Sequence, residues 1–270
     1  MESFEDRAGS GRTAAAFVAA RRAARGLPDY PGEIPQTLAS AYAIQDAAMA
    51  LRSDAIGGWK VGRIFPPLSE TYGSDRLAGP IFARTIVAGD SQTAVSMPVF
   101  AEGFAAAEAE WLLRLGAAPD PDKRSYTLKE AAALIDAVHV GIEIASSPLG
   151  AINRLGPAVT ISDFGNNHGL VIGAAVAEAD YSDWPVTLSI DGVAAGTGSG
   201  AELPGGPIGA AVFLLELCAA RRVALKAGDW ISSGAITGVH EVASGARVEA
   251  CFGEGYKVAC TIAAATAEQA

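Results

Sequence analysis

Residues 107–113 read AEAEWLL, and whether they form a helix or a strand decides what this chain is. In a strand, alternate side chains share a face, so Glu108 and Glu110 would point the same way. In a helix, a spacing of two is a rotation of about 200° and the carboxylates diverge. The surrounding run FAAAEAEWLLRL (104–115) is full of good helix formers, and local propensity taken alone favours the helix. On that reading the two glutamates are the wet edge of an alanine-rich helix. On the other they are two ligands aimed at one metal ion.

Two further stretches bear on the choice. HVGIEIASS (139–147) alternates, with Val140, Ile142 and Ile144 on one face and Gly141, Glu143 and Ala145 on the other. That is the pattern of a half-buried strand. Glu143 faces water if the second face is open; if both faces are covered it needs a partner, and a hard divalent cation would supply one. GGWKVG (57–62) sets Lys60 inside a short strand, flanked by glycines that allow close approach of backbone or ligand. The alternative is an edge lysine that discourages aggregation.

Elsewhere, GRTAAAFVAARRAARG (11–26) predicts a helix stopped by Gly26, and 37–54 a second one capped by Thr37 or Ser40. From residue 57 glycine, valine and isoleucine dominate in short runs. Strands and turns are expected over 79–90, 169–176, 185–198 with an Asp-Gly turn at 191–192, 228–237 and 246–262, the last a hairpin across GEG. Helices are expected over 127–138 and 205–222. The organisation is a helical N-terminal arm (1–56) followed by one β-rich α+β unit (57–270).

Half of the 270 residues are hydrophobic and 19% are charged, which excludes a disordered chain. The net charge of −10 disfavours nucleic acid and anionic membrane as partners. Cys218, Cys251 and Cys260 form no CxxC or Cys/His cluster and read as free thiols. The N-terminal MESFEDRAGSGR lacks the apolar core of a secretory signal, and no run is long and apolar enough to span a bilayer, so a reduced cytoplasm is expected. Of His139, His168 and His240, only His168, in NNHG, is expected to reach a pocket.

The motifs YAIQDA, GWKVG, GPIF, AEAEWLL, GIEIASS, ISDFGNNHGLVIG, AAGTGSGAELPGGPIGAAVFLLELC and LKAGDWISSGAIT occur in that order between about Ala41 and Val258. Together they resemble the 2-keto-4-pentenoate hydratase family, which also holds 4-oxalocrotonate decarboxylases, within the fumarylacetoacetate hydrolase-like superfamily. The resemblance implies a mixed β-barrel or roll with flanking helices, and a strand at 108–110. It implies that Glu108, Glu110 and Glu143 hold Mg²⁺ or Mn²⁺, with Lys60 catalytic and paired to the substrate carboxylate. The family's longer segment ending in an acidic residue is short here, LSETYGSDRLAG, and Asp75 is the candidate counterpart and proton carrier; the resemblance places Arg63, Asn166, His168 and Ser199, with Lys60, around the substrate.

The implied activity is hydration of a 2-hydroxy-2,4-dienoate to a 4-hydroxy-2-oxo acid in aromatic catabolism. The alternatives are decarboxylation of a 2-oxo dioate, with Arg63 or Arg76 holding the second carboxylate, an acylpyruvate C–C hydrolase, or a non-catalytic partner subunit. SDFGNN stands where many members read ADNAS, and GGP where GHP is common, so the departures surround the substrate. The resemblance and the long apolar helix at 207–221 also imply a homo-oligomer.

Overall fold

The computed structural model describes residues 4–89 and 94–268. In chain order the elements are α1 (Phe4–Ala23), α2 (Leu38–Ala50), β1 (Ile56–Arg63), α3 (Leu68–Tyr72), β2 (Arg76–Phe82), β3 (Ile86–Ala88), β4 (Val95–Val99) and β5 (Phe104–Leu115). They continue with α4 (Leu128–Ala132), β6 (Ile135–Ser147), α5 (Pro157–Ser162), β7 (Asn167–Val176), β8 (Pro185–Ile190), β9 (Val193–Ser199) and α6 (Gly206–Arg221). β10 (Trp230–Ser232), β11 (His240–Glu241), β12 (Arg247–Phe252) and β13 (Tyr256–Ala264) close the chain.

AEAEWLL therefore lies within a twelve-residue strand, β5. Its helix-forming composition is overridden by pairing on both sides: β5 runs antiparallel to β6 along its whole length and to β10 at its far end. Packing on both faces, not intrinsic preference, decides such a segment. The odd face buries Trp111 against Tyr181, Trp184 and Phe252 at ring-centroid separations of 5.0, 6.0 and 4.8 Å. The even face carries Glu108, Glu110 and Leu112, the last packed with Ile81 and Leu170.

Two sheets form among the described residues. One runs β2-β1-β10-β5-β6-β7-β3, with β11 also on β5; the other runs β4-β13-β12-β8-β9. The main core lies between them, built from residues such as Trp111, Ile142, Ile144, Leu188, Phe252 and Val258. The larger sheet curls, and α6 covers its outer side through Trp59, Val61, Leu113, Leu214 and Leu215. The inner side of the curl carries Glu108 and Glu110 beside the apolar Leu112. This is the mixed α+β roll the resemblance implied.

Several boundaries differ from expectation. The helix expected over 127–138 is only Leu128–Ala132, because strand β6 begins at Ile135 and pairs with β5 back to Leu115. The first helix ends before Gly26, where Ala24 takes a left-handed conformation (φ 50°). The strand expected over 228–237 is three residues long. Thr37 is the cap of α2, in a reciprocal box with Ser40. Asp191 and Gly192 (φ 51° and 80°) make the β8–β9 hairpin turn.

α1 and α2 pack through Ala14, Val18, Ile44 and Ala48 onto Phe82 and Phe164. Two glycines are required by close approach. A Cβ on Gly79 would meet the Phe164 carbonyl oxygen at 2.1 Å, and one on Gly141 would meet Leu112 Cδ1 at 2.2 Å.

Trp111 is fully buried at the seam of the two sheets. Trp111→Ala is expected to destabilise the protein by about 3–5 kcal/mol, read as a lower urea midpoint by equilibrium denaturation.

Candidate metal centre and active-site pocket

Antiparallel pairing sets Glu108 of β5 directly opposite Glu143 of β6, and Glu110 opposite Gly141. Because Glu108 and Glu110 share the inner face, the three carboxylates converge, each offering an oxygen within 4.8 Å of the other two. All are buried, with Glu110 and Glu143 fully inaccessible. Ser232 on β10 donates to Glu110 Oε2 at 2.5 Å, and the Gly234 amide donates to the same oxygen at 2.8 Å. The Asn167 amide donates to Glu143 Oε1 at 2.9 Å. An irregularity in the β6–β7 pairing at Ile144/Ala145 lies beside that contact. Lys60 of β1, also buried, sets Nζ 3.4 Å from Glu143 Oε2.

These groups fit a hard divalent cation. All three donors are carboxylates, the ligand type preferred by Mg²⁺ and Mn²⁺ and poorly suited to zinc or copper. Glu110 Oε1 is buried and receives no hydrogen bond, and Glu143 Oε2 is met only by the Lys60 ammonium at 3.4 Å, so each keeps a lone pair open to a cation. Charge points the same way. Three carboxylate pairs within 4.8 Å repel by about 3 kcal/mol each at an effective dielectric of 20, against about 5 for one ammonium at the Lys60–Glu143 distance. One lysine does not balance the cluster.

The titration of the metal-free site reflects this. Burial, opposed by Lys60 and reinforced by Glu143, raises Glu108 to about 7. Burial, then Glu143 and Glu108, holds Glu110 well above the carboxylate range. Burial alone would lower Lys60, but Glu143, Glu108 and Glu110 outweigh it and the ammonium is held charged.

Lys60 and Glu108 form the floor of a cavity of about 480 Å³. One wall is the end of β1 and the following turn, from Arg63 to Leu68; the opposite wall carries Asn153, Thr160 and Asn166. The buried Leu77 and the exposed Val239 add apolar lining. Arg63 is exposed and stacks on Phe65, its guanidinium carbon 4.6 Å from the ring centroid. Asn166 is buried, its amide donates to Asn153 Oδ1 at 3.4 Å, and its own Oδ1 has no partner.

The structure thus gathers Lys60, Arg63, Glu108, Glu110, Glu143 and Asn166 at one place. It does not bring Asp75, His168 or Ser199 there. Asp75 lies outside the pocket lining with a half-exposed side chain, its carboxylate 3.7 Å from Arg76. His168 packs on Phe100 at 4.4 Å, and its Nδ1 accepts from Arg21 at 3.3 Å. Burial, reinforced by the charges of Arg21 and Arg52, pushes it down to about 3, so it is neutral. Ser199 Oγ donates to Ser182 O at 3.0 Å and caps the turn at Ala201. Arg76 also lies elsewhere, bonded to the Pro204 carbonyl.

Sequence reasoning missed Ser232, Asn167, Asn153 and Thr160. For Asn167 a signal was present, a polar pair, Asn167 and His168, opening a strand that continues with glycine and apolar residues alone. Ser232 carried none, since its role exists only because β10 pairs with β5.

No family model matches the chain. A curated 4-oxalocrotonate decarboxylase from a Pseudomonas species is 36% identical over 114 residues, 42% of this chain and 44% of that protein. The match thus spans less than half the length of that relative. The solved 4-oxalocrotonate decarboxylase from Pseudomonas putida G7, complexed with magnesium and adipate, superposes with a TM-score of 0.81 at 20% identity. That alignment covers 95% of this chain and 98% of the other. The fumarylpyruvate hydrolase from Pseudomonas aeruginosa, in complex with Mn²⁺ and pyruvate, superposes with a TM-score of 0.56 at 15% identity, over 77% and 89% of the two chains. The chain therefore shares the fold of these solved enzymes, and a stretch of 114 residues is similar in sequence to the curated decarboxylase.

Proposed function

We propose that the protein is a metal-dependent decarboxylase of a linear 2-oxo dioate of the 4-oxalocrotonate type. The observation that carries this reading is the pair of cations in the pocket, Lys60 at the floor and Arg63 at the mouth. Both line the same cavity, so they can meet the two carboxylates of one six-carbon chain. The decarboxylase solved with adipate, itself a six-carbon dioate, supports the same length.

A divalent cation held by Glu108, Glu110 and Glu143 supplies Lewis acidity at the 2-oxo acid end. Lys60 pairs with the C1 carboxylate beside it. Arg63 pairs with the distal C6 carboxylate and fixes its position. The bond from C5 to C6 breaks and carbon dioxide leaves. Its electron pair passes through the conjugated chain to the C2 oxygen, which takes up a proton to give a 2-hydroxydienoate. The exposed Leu68 and Val239 make the mouth apolar, which favours neutral carbon dioxide over a carboxylate.

Hydration of a dienoate would use the same floor but needs a group to move protons and to activate water. Among the described residues lining the pocket, Glu108 is the only carboxylate, and no histidine is present. Asp75, expected as the proton carrier, faces solvent. The two reactions separate on product: decarboxylation releases bicarbonate, hydration consumes the dienol absorbance without it. Magnesium-dependent bicarbonate release, lost on chelation, is expected; dienol consumption without bicarbonate would sink the reading. Arg63→Gln is expected to raise KM for the dioate about 10- to 100-fold, the value of a charge-assisted hydrogen bond, with kcat changed far less.

A further inference from the structure

Arg21 lies on α1, far in sequence from every residue of the pocket, yet its side chain is buried. Its guanidinium makes a bidentate pair with Asp163, Nε to Oδ1 at 2.5 Å and Nη2 to Oδ2 at 2.8 Å. It also donates to the main-chain oxygens of Ser146 at 3.0 Å, Asn167 at 3.1 Å and Asp163 at 3.4 Å. Phe100 and Phe164 flank it, with ring centroids 5.3 and 5.1 Å from the guanidinium carbon. The Ser147 hydroxyl donates to Asp163 Oδ2 at 2.6 Å.

This pair brackets an unusual turn. Phe164, Gly165 and Asn166 are all left-handed, with φ of 55°, 66° and 66°. Two of the three carry side chains, for which that region is unfavourable. The turn is pressed against the site: a Cβ on Gly165 would lie 2.9 Å from Gly79 Cα and 3.1 Å from Lys60 Cδ. It delivers the buried Asn166 into the pocket and the Asn167 amide onto Glu143. Arg21 binds main-chain oxygens at Asp163 and at Asn167, one on each side of the three left-handed residues. Among the described residues, no other side chain bonds the carbonyls at both ends of the turn.

We infer that Arg21 is a positioning residue of the metal site, acting from the N-terminal helix through the 163–167 turn and Asn167 to set Glu143. A lysine in its place could pair with Asp163 but lacks the planar fork that reaches both carbonyls. The inference rests on the metal-site reading, not on which reaction the enzyme performs.

The test is Mn²⁺ titration by calorimetry and by the electron-spin signal of the bound ion, on intact wild type, Arg21→Lys, Asn167→Ala and the double variant. Arg52→Ala, which breaks the Arg52–Glu268 ion pair outside the pocket, is the control. Arg21→Lys is expected to bind Mn²⁺ about 10- to 100-fold more weakly, the cost typical of losing a group that orients a ligand. On the Asn167→Ala background it should add less than threefold, because both act along one path. Arg52→Ala should bind as wild type does.

Folded Arg21→Lys with wild-type Mn²⁺ affinity and signal, or fully additive effects, would overturn the inference. If Arg21→Lys does not fold, Asp163→Asn takes its place: weaker Mn²⁺ binding that is not additive with Asn167→Ala supports the inference, and wild-type affinity overturns it. Wild type that binds no Mn²⁺ would instead overturn the metal site itself, so the two failures are distinguishable.

Discussion

Glu143→Gln is expected to remove metal binding and with it metal-dependent turnover. The substitution keeps the shape of the side chain, so what changes is charge and donor pattern. Glu143 meets two donors, Asn167 Nδ2 at 2.9 Å and Lys60 Nζ at 3.4 Å. An amide at this position turns at least one NH toward a donor and withdraws one negative charge from the cation. Losing about 4 kcal/mol of charge stabilisation corresponds to about a thousandfold in rate. Mn²⁺ titration should show no saturable heat, and bicarbonate release should fall to the level of chelated wild type.

The same site carries a pH signature. Folding of the metal-free protein raises Glu108 to about 7. Between the ordinary carboxylate value and about 7 the folded state therefore holds a proton that the unfolded chain releases, and stability falls as pH rises through that window. A bound cation displaces that proton. Mn²⁺ affinity of the wild type should accordingly weaken as pH is lowered below about 7. Full Mn²⁺ affinity in Glu143→Gln would refute the cluster.

Lys60→Met should separate turnover from metal binding. The methionine fills the buried volume but removes the ammonium beside Glu143. Taking a cation away from a cation site does not weaken the site, so Mn²⁺ affinity should be kept or increased. Turnover measured as kcat/KM should fall by about 10- to 100-fold, the value of a charge-assisted hydrogen bond to the C1 carboxylate. The metal-free protein should suffer too, since breaking a buried ion pair leaves an uncompensated charge and costs about 3–5 kcal/mol. Mn²⁺ should restore much of that loss, seen as a larger metal-induced rise in melting temperature than wild type shows. A variant that loses metal binding together with turnover would mean that Lys60 holds the cluster together and takes no part in the reaction.

The strand at 139–147 was legible because its alternation is regular and both faces are covered. The α6 helix and the β8–β9 hairpin were legible for similar reasons, an apolar run after a glycine-proline turn and an Asp-Gly pair. The strand at 107–113 was not legible from propensity, since alanine, glutamate and leucine are helix formers. Only the order of eight motifs spoke for it. Residues 127–138 misled in the same direction, the strand partner of β5 taking the second half of a stretch that reads as helix.

What the sequence by itself determined were the reactive groups, Glu108, Glu110, Glu143 and Lys60, and the chemistry open to three carboxylates beside an ammonium. That information is local, because residue type sets ligand hardness and charge. The tertiary structure alone decided that the pairing of β5 with β6 sets Glu108 against Glu143, and that Arg63 and Asn166 face the pocket while Asp75 and His168 do not. It alone also decided that Arg21 reaches Asn167 across the chain. The physical reason is common to all of these. Strand register and the curl of a sheet are set by contacts between segments far apart in the chain, and no window of sequence contains both partners.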